Sequence, residues 1–193
     1  MIILASASPR RQALLRALGV AYRAVPSLAS EEGPLPEGAA PRTESLALRK
    51  AAEVAIRMGQ GLIIGADTIV ECDGRLLGKP RNQDQARQFL RQLSGRRHLV
   101  VTGLALVEAA GGRTEVEHEV TDVRVRPLTG EEIDAYVQAG EPLDKAGGYA
   151  IQGGARDFVE GIKGSYTNVV GLPLGRLRVL LMRFGIDPLS RTT

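Results

Sequence analysis

The stretch LIIGADTIVEC at residues 62–72 constrains this chain more than any other segment. It reads as a buried strand that becomes half-exposed, and the Asp73-Gly74 pair behind it is a two-residue hairpin signal leading into Arg75 and Leu77. Asp67 and Thr68 stand in the middle of that strand. A carboxylate taken out of water without a partner is costly, so Asp67 requires a cation, a metal or a raised pKa. The same residues that call for a sheet therefore also call for a countercharge inside it.

The rest of the chain supplies elements to surround this strand. Residues 2–5 form a short apolar strand and Ser6-Ala7-Ser8 a tight loop. Pro9 then opens a helix carrying Leu14, Leu15 and Leu18, which Gly19 stops. Residues 27–41, with Pro, Gly and Glu and no apolar period, read as a mobile loop. A second helix over 43–58 gathers Ala47, Leu48, Ala51, Ala52, Val54, Ala55 and Met58 on one broad arc. Lys50 lies at the edge of the arc, placed to lean along the apolar face and carry its ammonium to a neighbouring cleft.

Ala86, Phe89, Leu90 and Leu93 repeat at helical spacing before Gly95, and residues 98–107 form a long apolar strand. Ala110-Gly111-Gly112 turns the chain. Over 114–126, Val116 and Val120 share one parity and Val123 and Val125 the other, which predicts a bulge near Thr121-Asp122. Thr129 and Glu132 make a capping box for a short helix through Ile133, Tyr136 and Val137 to Gly140. Strands near 149–152 and 158–162 and a helix over 174–184 complete a mixed α/β (α+β) arrangement. A chain of 193 residues with 44% hydrophobic content buries one good core, so residues 1–193 are expected to form one folding unit.

Four segments concentrate reactive side chains. Ser6-Ala7-Ser8 enters a helix whose amino end favours anions, with Arg10 and Arg11 adding full charges; an ordinary Ser8 cap with two solvated arginines gives the same pattern. Asp67 is the second, and Gly78-Lys79-Pro80, a stiff turn after the hairpin, is the third. The fourth, EPLDKAGG at 141–148, sets acids, a lysine and a glycine pair in one loop, with Gly164-Ser165 forming another; glycine lets backbone approach a ligand, and plain solvent loops also look like this. No Ser/His/Asp arrangement is signalled, and His98 and His118 read as sheet residues. Carboxylates, lysines, arginines and glycine loops together suit a triphosphate and a divalent ion.

Composition narrows the classes. Of 25 basic residues only Lys50, Lys79, Lys145 and Lys163 are lysines, so each can be asked what a compact point charge does there that an arginine fork would not. A single cysteine, Cys72, excludes an internal disulfide framework, and two histidines leave any metal to carboxylates. The net charge of +3 fits either a nucleic-acid or a polyphosphate ligand. Three Phe, four Tyr and no Trp provide few stacking platforms, which argues against nucleic acid as a partner. Apolar runs such as 61–66 and 169–174 fall far below the ~20 residues of a membrane span, and the start at Met1-Ile2-Ile3-Leu4 lacks a secretory signal, so no membrane partner and a cytoplasmic address are expected.

Taken in order, six segments resemble the motifs of the Maf family across nearly the whole chain: LASASPRR (4–11), GADTIV (65–70), GKPR (78–81), SGRRHLVVTG (94–103), EPLDKAGGYAIQG (141–153) and GSYTNVVGLP (164–173). The resemblance implies a long, bent mixed sheet with a cleft between two lobes, similar to the inosine-triphosphate pyrophosphatases, often in homodimers. It implies hydrolysis of a nucleoside triphosphate to monophosphate and pyrophosphate with a divalent cation, Mg²⁺ or Mn²⁺. Carried over by motif, Asp67 would accept the proton of the attacking water and contact the metal, while Ser6, Arg11, Lys50 and Lys79 would hold phosphates. An acid near this point of the first long loop, Glu31, would assist the metal or the water; Ser30 replaces the acid often found just before it, so the choice between Glu31 and Glu32 stays open.

Base choice follows from the same resemblance. The DKAGGYAIQG form is similar to the branch acting on dTTP and UTP, whereas the branch acting on 7-methyl-GTP carries a tryptophan in this loop, and this chain has none. Arg10, Thr68 and Gln152 would take the substrate-selective positions, Gln152 with an amide able to pair with a pyrimidine edge. The family's link with septum formation keeps a second class in view, a nucleotide-sensing regulator of cell division in which hydrolysis is incidental.

Overall fold

The computed structural model describes residues 1–188. In chain order the elements are β1 (Ile2–Leu4), α1 (Pro9–Ala17), β2 (Tyr22–Ala24), α2 (Ala39–Met58), β3 (Leu62–Cys72), β4 (Arg75–Leu77) and α3 (Gln83–Leu93). There follow β5 (Arg97–Glu108), β6 (Thr114–Val125), α4 (Gly130–Gln138), β7 (Val159–Lys163), α5 (Tyr166–Val170) and α6 (Leu174–Arg183). The strands make one mixed seven-stranded sheet in the order β2-β1-β3-β5-β6-β7, with β4 paired to β3. β2, β1 and β3 run parallel, while β3–β4 and β6–β7 are antiparallel. The expected mixed α/β class is what the chain adopts.

Two compact units share this chain. The first comprises Met1–Asp67, Thr102–Glu119 and the chain from Gly171 onward; the second comprises Thr68–Val101 and Val120–Val170. In the first unit β1 and the start of β3 are buried on both faces, which is why they read as unbroken apolar runs. Ile2, Leu4, Leu62, Ile64, Leu104 and Leu106 pack on one face with Leu15 of α1 and Leu177, Leu180 and Leu181 of α6. Ile3, Ile63, Ala105 and Val107 pack on the other with Ala47, Ala51 and Val54 of α2. The second unit has its own core, in which Leu90 and Leu93 of α3 and Ile133 and Val137 of α4 meet Val70, Val123 and Val125. Each fully buried side chain of this kind contributes about 1.5–3 kcal/mol.

Most local signals are realised. Ser8 caps α1, with Pro9 in the first turn, and Gly19 sits at φ 80° beyond its end. The capping box of Thr129 and Glu132 forms in both directions. Three expectations need correction. α2 begins at Ala39 rather than 43, because Pro41 falls in the first turn, where its missing N–H has no helical partner to lose.

The irregularity of the β6–β7 pair lies between Arg124 and Val125, where Glu160 of β7 is the extra residue, and not at Thr121-Asp122. The apparent parity switch in β6 has another cause: its odd face carries Glu117 and Glu119, ion-paired with Arg176 of α6, and further along carries the buried Thr121, Val123 and Val125. The face is constant and its covering changes from charged to apolar. Residues 149–152 do not form a strand; Ala150 N–H donates to the Tyr136 hydroxyl at 3.0 Å and a turn follows. The hydroxyl takes the bond that a neighbouring strand would otherwise supply.

Candidate functional site

Two glycines bring α2 onto the sheet. A Cβ on Gly65 of β3 would lie 2.2 Å from the Ala47 carbonyl oxygen, and one on Gly103 of β5 would lie 2.3 Å from that of Thr43. Thr43, Ala47 and Ala51 recur every fourth residue, so a stripe of small side chains faces two bare backbones. This close seat fixes where Lys50, next to Ala51, can reach. Its ammonium lies 2.6 Å from Asp67 Oδ1 and 2.7 Å from Glu31 Oε1. The Lys50 and Asp67 side chains are only 13% and 14% exposed, and Glu31 is 52% exposed. The countercharge that Asp67 required is thus Lys50, shared with a second carboxylate.

The loop that delivers Glu31 is tied down, against the expectation of a mobile segment. Arg57 Nη2 donates to the Pro26 carbonyl at 2.7 Å, and Glu53 accepts from the Ser27 hydroxyl and the Leu28 N–H, both at 2.9 Å. Those bonds, the Leu28 N–H foremost, with Arg57 beside it, hold the Glu53 carboxyl below its usual range against the opposing effect of burial. Arg49 spans the Glu32 and Pro34 carbonyls at 3.0 and 2.7 Å. Sequence reasoning passed over Arg49, Glu53 and Arg57; their spacing of four along the polar face of α2 was the available signal.

At the start of α1, Ser6 Oγ accepts from Ser8 N–H at 3.2 Å, and Ser8 Oγ accepts from Arg11 N–H at 3.4 Å. Arg11 is not a solvated surface cation. Its Nε donates to the Gly171 carbonyl and its Nη1 to that of Ala66, each at 2.8 Å, which ties α1 to the residue before Asp67. Burial lowers the Arg11 pKa, Asp67 opposes that shift, Arg10 adds to it, and Glu31 opposes it again. The first unit therefore gathers Lys50, Asp67 and Glu31 in direct contact, with Arg11, Arg10 and Ser6 at the end of β1 and the start of α1.

Thr68, Lys79 and Gln152 belong to the second unit. Thr68 follows Asp67 on β3, and Lys79 follows β4 in a turn whose Gly78 carbonyl accepts from Gly147 N–H at 3.0 Å. Gln152 is exposed and lines an open cavity of about 720 Å³ with Arg156, Glu160 and Tyr166. Its turn is braced by the Tyr136–Ala150 bond, by Tyr149 against His98 Nε2 at 2.7 Å, and by Glu141 accepting from Gly154 N–H at 3.0 Å. His98 is a buried sheet residue, and His118 lies in β6 at 2.7 Å from Glu44.

Among the described residues no three His, Cys, Asp or Glu side chains cluster as a ready-made metal cage. Asp67 and Glu31 nevertheless converge on one cation, the Lys50 ammonium, at distances of 2.6 and 2.7 Å. Two hard oxygen donors completed by water and phosphate oxygens match how Mg²⁺ is usually held, so these residues fit such an ion.

Two carboxylates, a shared lysine and an arginine-bearing helix start on an α/β sheet are an arrangement suited to a phosphorylated ligand with a cation. More particularly, the chain belongs to the Maf family: the model of the Maf-like protein matches residues 1–184. A dTTP/UTP pyrophosphatase of Desulforamulus reducens is 48% identical over 186 residues, covering 96% of this chain and 97% of its own. One of Moorella thermoacetica is 49% identical over 190 residues, covering 98% of each. One of the archaeon Methanococcoides burtonii is 44% identical over 191 residues, covering 96% of each. Among solved structures, the Staphylococcus aureus Ham1 protein gives a partial likeness, with a TM-score of 0.47 and 15% identity over 64% of this chain and 71% of that one.

Proposed function

We propose that this protein is a nucleoside triphosphate pyrophosphatase that converts dTTP and UTP to the monophosphate and pyrophosphate. The observation that carries the reading is the Asp67–Lys50–Glu31 contact, in a chain of the Maf family with dTTP/UTP pyrophosphatases at 48% and 49% identity over nearly full length. Asp67 orients a water and takes its proton as the water oxygen bonds to the α-phosphorus. The bond from that phosphorus to the bridging oxygen breaks, and pyrophosphate leaves with the electron pair. Lys50 releases its hold on the carboxylates and, with Ser6, Arg11 and Lys79, binds phosphate oxygens, where positive charge counts most as the leaving group develops. Asp67 and Glu31 would hold Mg²⁺ or Mn²⁺, which, when bound, supplies charge neutralisation on the phosphate oxygens.

Arg10, Thr68 and Gln152 select the base, with the Gln152 amide matching the donor and acceptor edge shared by uracil and thymine. Work on the free nucleotide pool, as a homodimer in the cytoplasm and without nucleic acid or membrane as partner, completes the reading. No described helix is long and apolar enough to cross a membrane. The alternative of a division-regulating sensor draws no support from the relatives, whose names describe a hydrolase. Turnover separates the two. Pyrophosphate release is measured across dTTP, UTP, CTP, dATP, GTP and 7-methyl-GTP with Mg²⁺ or Mn²⁺. A preference for dTTP and UTP is expected, and Asp67→Asn is expected to lower kcat by about 10³-fold while nucleotide still binds. Tight binding with no release from any nucleotide would favour the sensor instead.

A further inference from the structure

The loop that carries Glu31 has no apolar anchor: none of residues 26–34 is buried. Ordering such a segment costs backbone entropy at every residue, so its place must come from polar ties. Besides the turns that Ser27 and Ser30 make within the loop, α2 supplies such ties. Arg57 and Glu53 fix residues 26–28, Arg49 fixes residues 32 and 34, and Glu31 is suspended between the two anchor points. Gly33, at φ 97°, lets the Glu32 and Pro34 carbonyls turn toward the same guanidinium. Each terminal nitrogen of the fork takes one carbonyl, a spacing of donors that the single nitrogen of a lysine does not copy, which gives a reason for arginine at this position.

We infer that Arg49 is a positioning residue for the proposed reaction, holding the loop so that Glu31 stays on the Lys50–Asp67 pair, with Glu53 as the second anchor. The inference rests on the role proposed above for Glu31. Arg49 touches no reacting group and acts through Glu31 alone. Removing it leaves the carboxylate present but dispersed over many loop conformations, so the population poised for cation binding falls. Arg49→Ala is expected to lower kcat about tenfold, with KM for dTTP little changed and more Mn²⁺ needed for half-maximal rate. Arg49→Lys, with one nitrogen in place of two, should recover part of the loss.

The test pairs amide hydrogen exchange with kinetics on the full chain, for wild type, Arg49→Ala, Glu31→Gln and the double variant. Exchange over residues 26–34 should accelerate in Arg49→Ala while β3 and the buried turns of α2 are unchanged, a readout independent of activity. Arg49→Ala should cost nothing further once Glu31 is Gln. Unchanged loop exchange would overturn the clasp, and an equal loss of turnover with or without the Glu31 carboxylate would overturn its route through Glu31. An inactive wild type would instead remove the function proposed above, and exchange would still judge the clasp.

Discussion

Lys50, largely shielded from solvent, and His98, buried, are the two titratable residues whose surroundings make the sharpest demands. Lys50 pairs with both Asp67 and Glu31, each within 2.7 Å of its ammonium. Lys50→Met takes away the ammonium that the two carboxylates share, and breaking a largely buried ion pair in this way costs about 3–5 kcal/mol. Thermal unfolding of the variant at neutral pH should show that loss, with much of it regained on adding Mn²⁺, whereas wild type gains less. If added metal restores nothing, the two carboxylates are not a cation site. His98, 2% exposed, is held neutral by burial with its pKa lowered to about 4, partly offset by Asp122. The unfolded chain binds a proton below 6.5 and the native chain does not until about 4, so stability contributed by His98 falls across that window as pH drops. The full difference is about 3 kcal/mol. Denaturant midpoints at pH 7 and 4.5 should diverge less for His98→Gln than for wild type.

At the scale of elements, the seat of α2 on β3 and β5 is the decisive contact. Gly65→Ala places a methyl 2.2 Å from the Ala47 carbonyl oxygen, on backbone that cannot rotate away. The helix must lift, at about 1–3 kcal/mol, and Lys50 moves with it. Because small displacements of positioned groups cost about 10²-fold, turnover should fall further than the stability change suggests. Steady-state kinetics on the folded fraction would check this. The Gly65-Ala66-Asp67 motif was legible from the start, but the reason for its glycine was not. Close approach of Ala47 is a contact between residues far apart in the chain, and no local pattern encodes it.

The same boundary separates the elements read well from those misread. α1, the hairpin at Asp73-Gly74 and the capping box of α4 are closed by bonds within a few residues, and each forms where expected. The strand expected over 149–152 failed because its partner is the Tyr136 hydroxyl. Residues 27–41 read as a mobile loop because the ties on residues 26–34 come from side chains fifteen to thirty-one positions away.

For the molecule as a whole, each unit closes around apolar side chains, and no cluster of metal-binding side chains braces either core among the described residues. A chelator is therefore expected to abolish nucleotide turnover while lowering the thermal unfolding midpoint only slightly. A large drop in that midpoint would reassign the metal from chemistry to structure. By itself the sequence determined the mixed class, most strands and helices, the family, and that Asp67 needed a countercharge, since periodicity, caps and the cost of a buried charge act locally. Only the tertiary structure decided that Lys50 supplies that charge, that Glu31 shares it, and that Arg11 is tied to the strand beside Asp67. Those pairings depend on how closely distant segments approach, and that distance is set by packing.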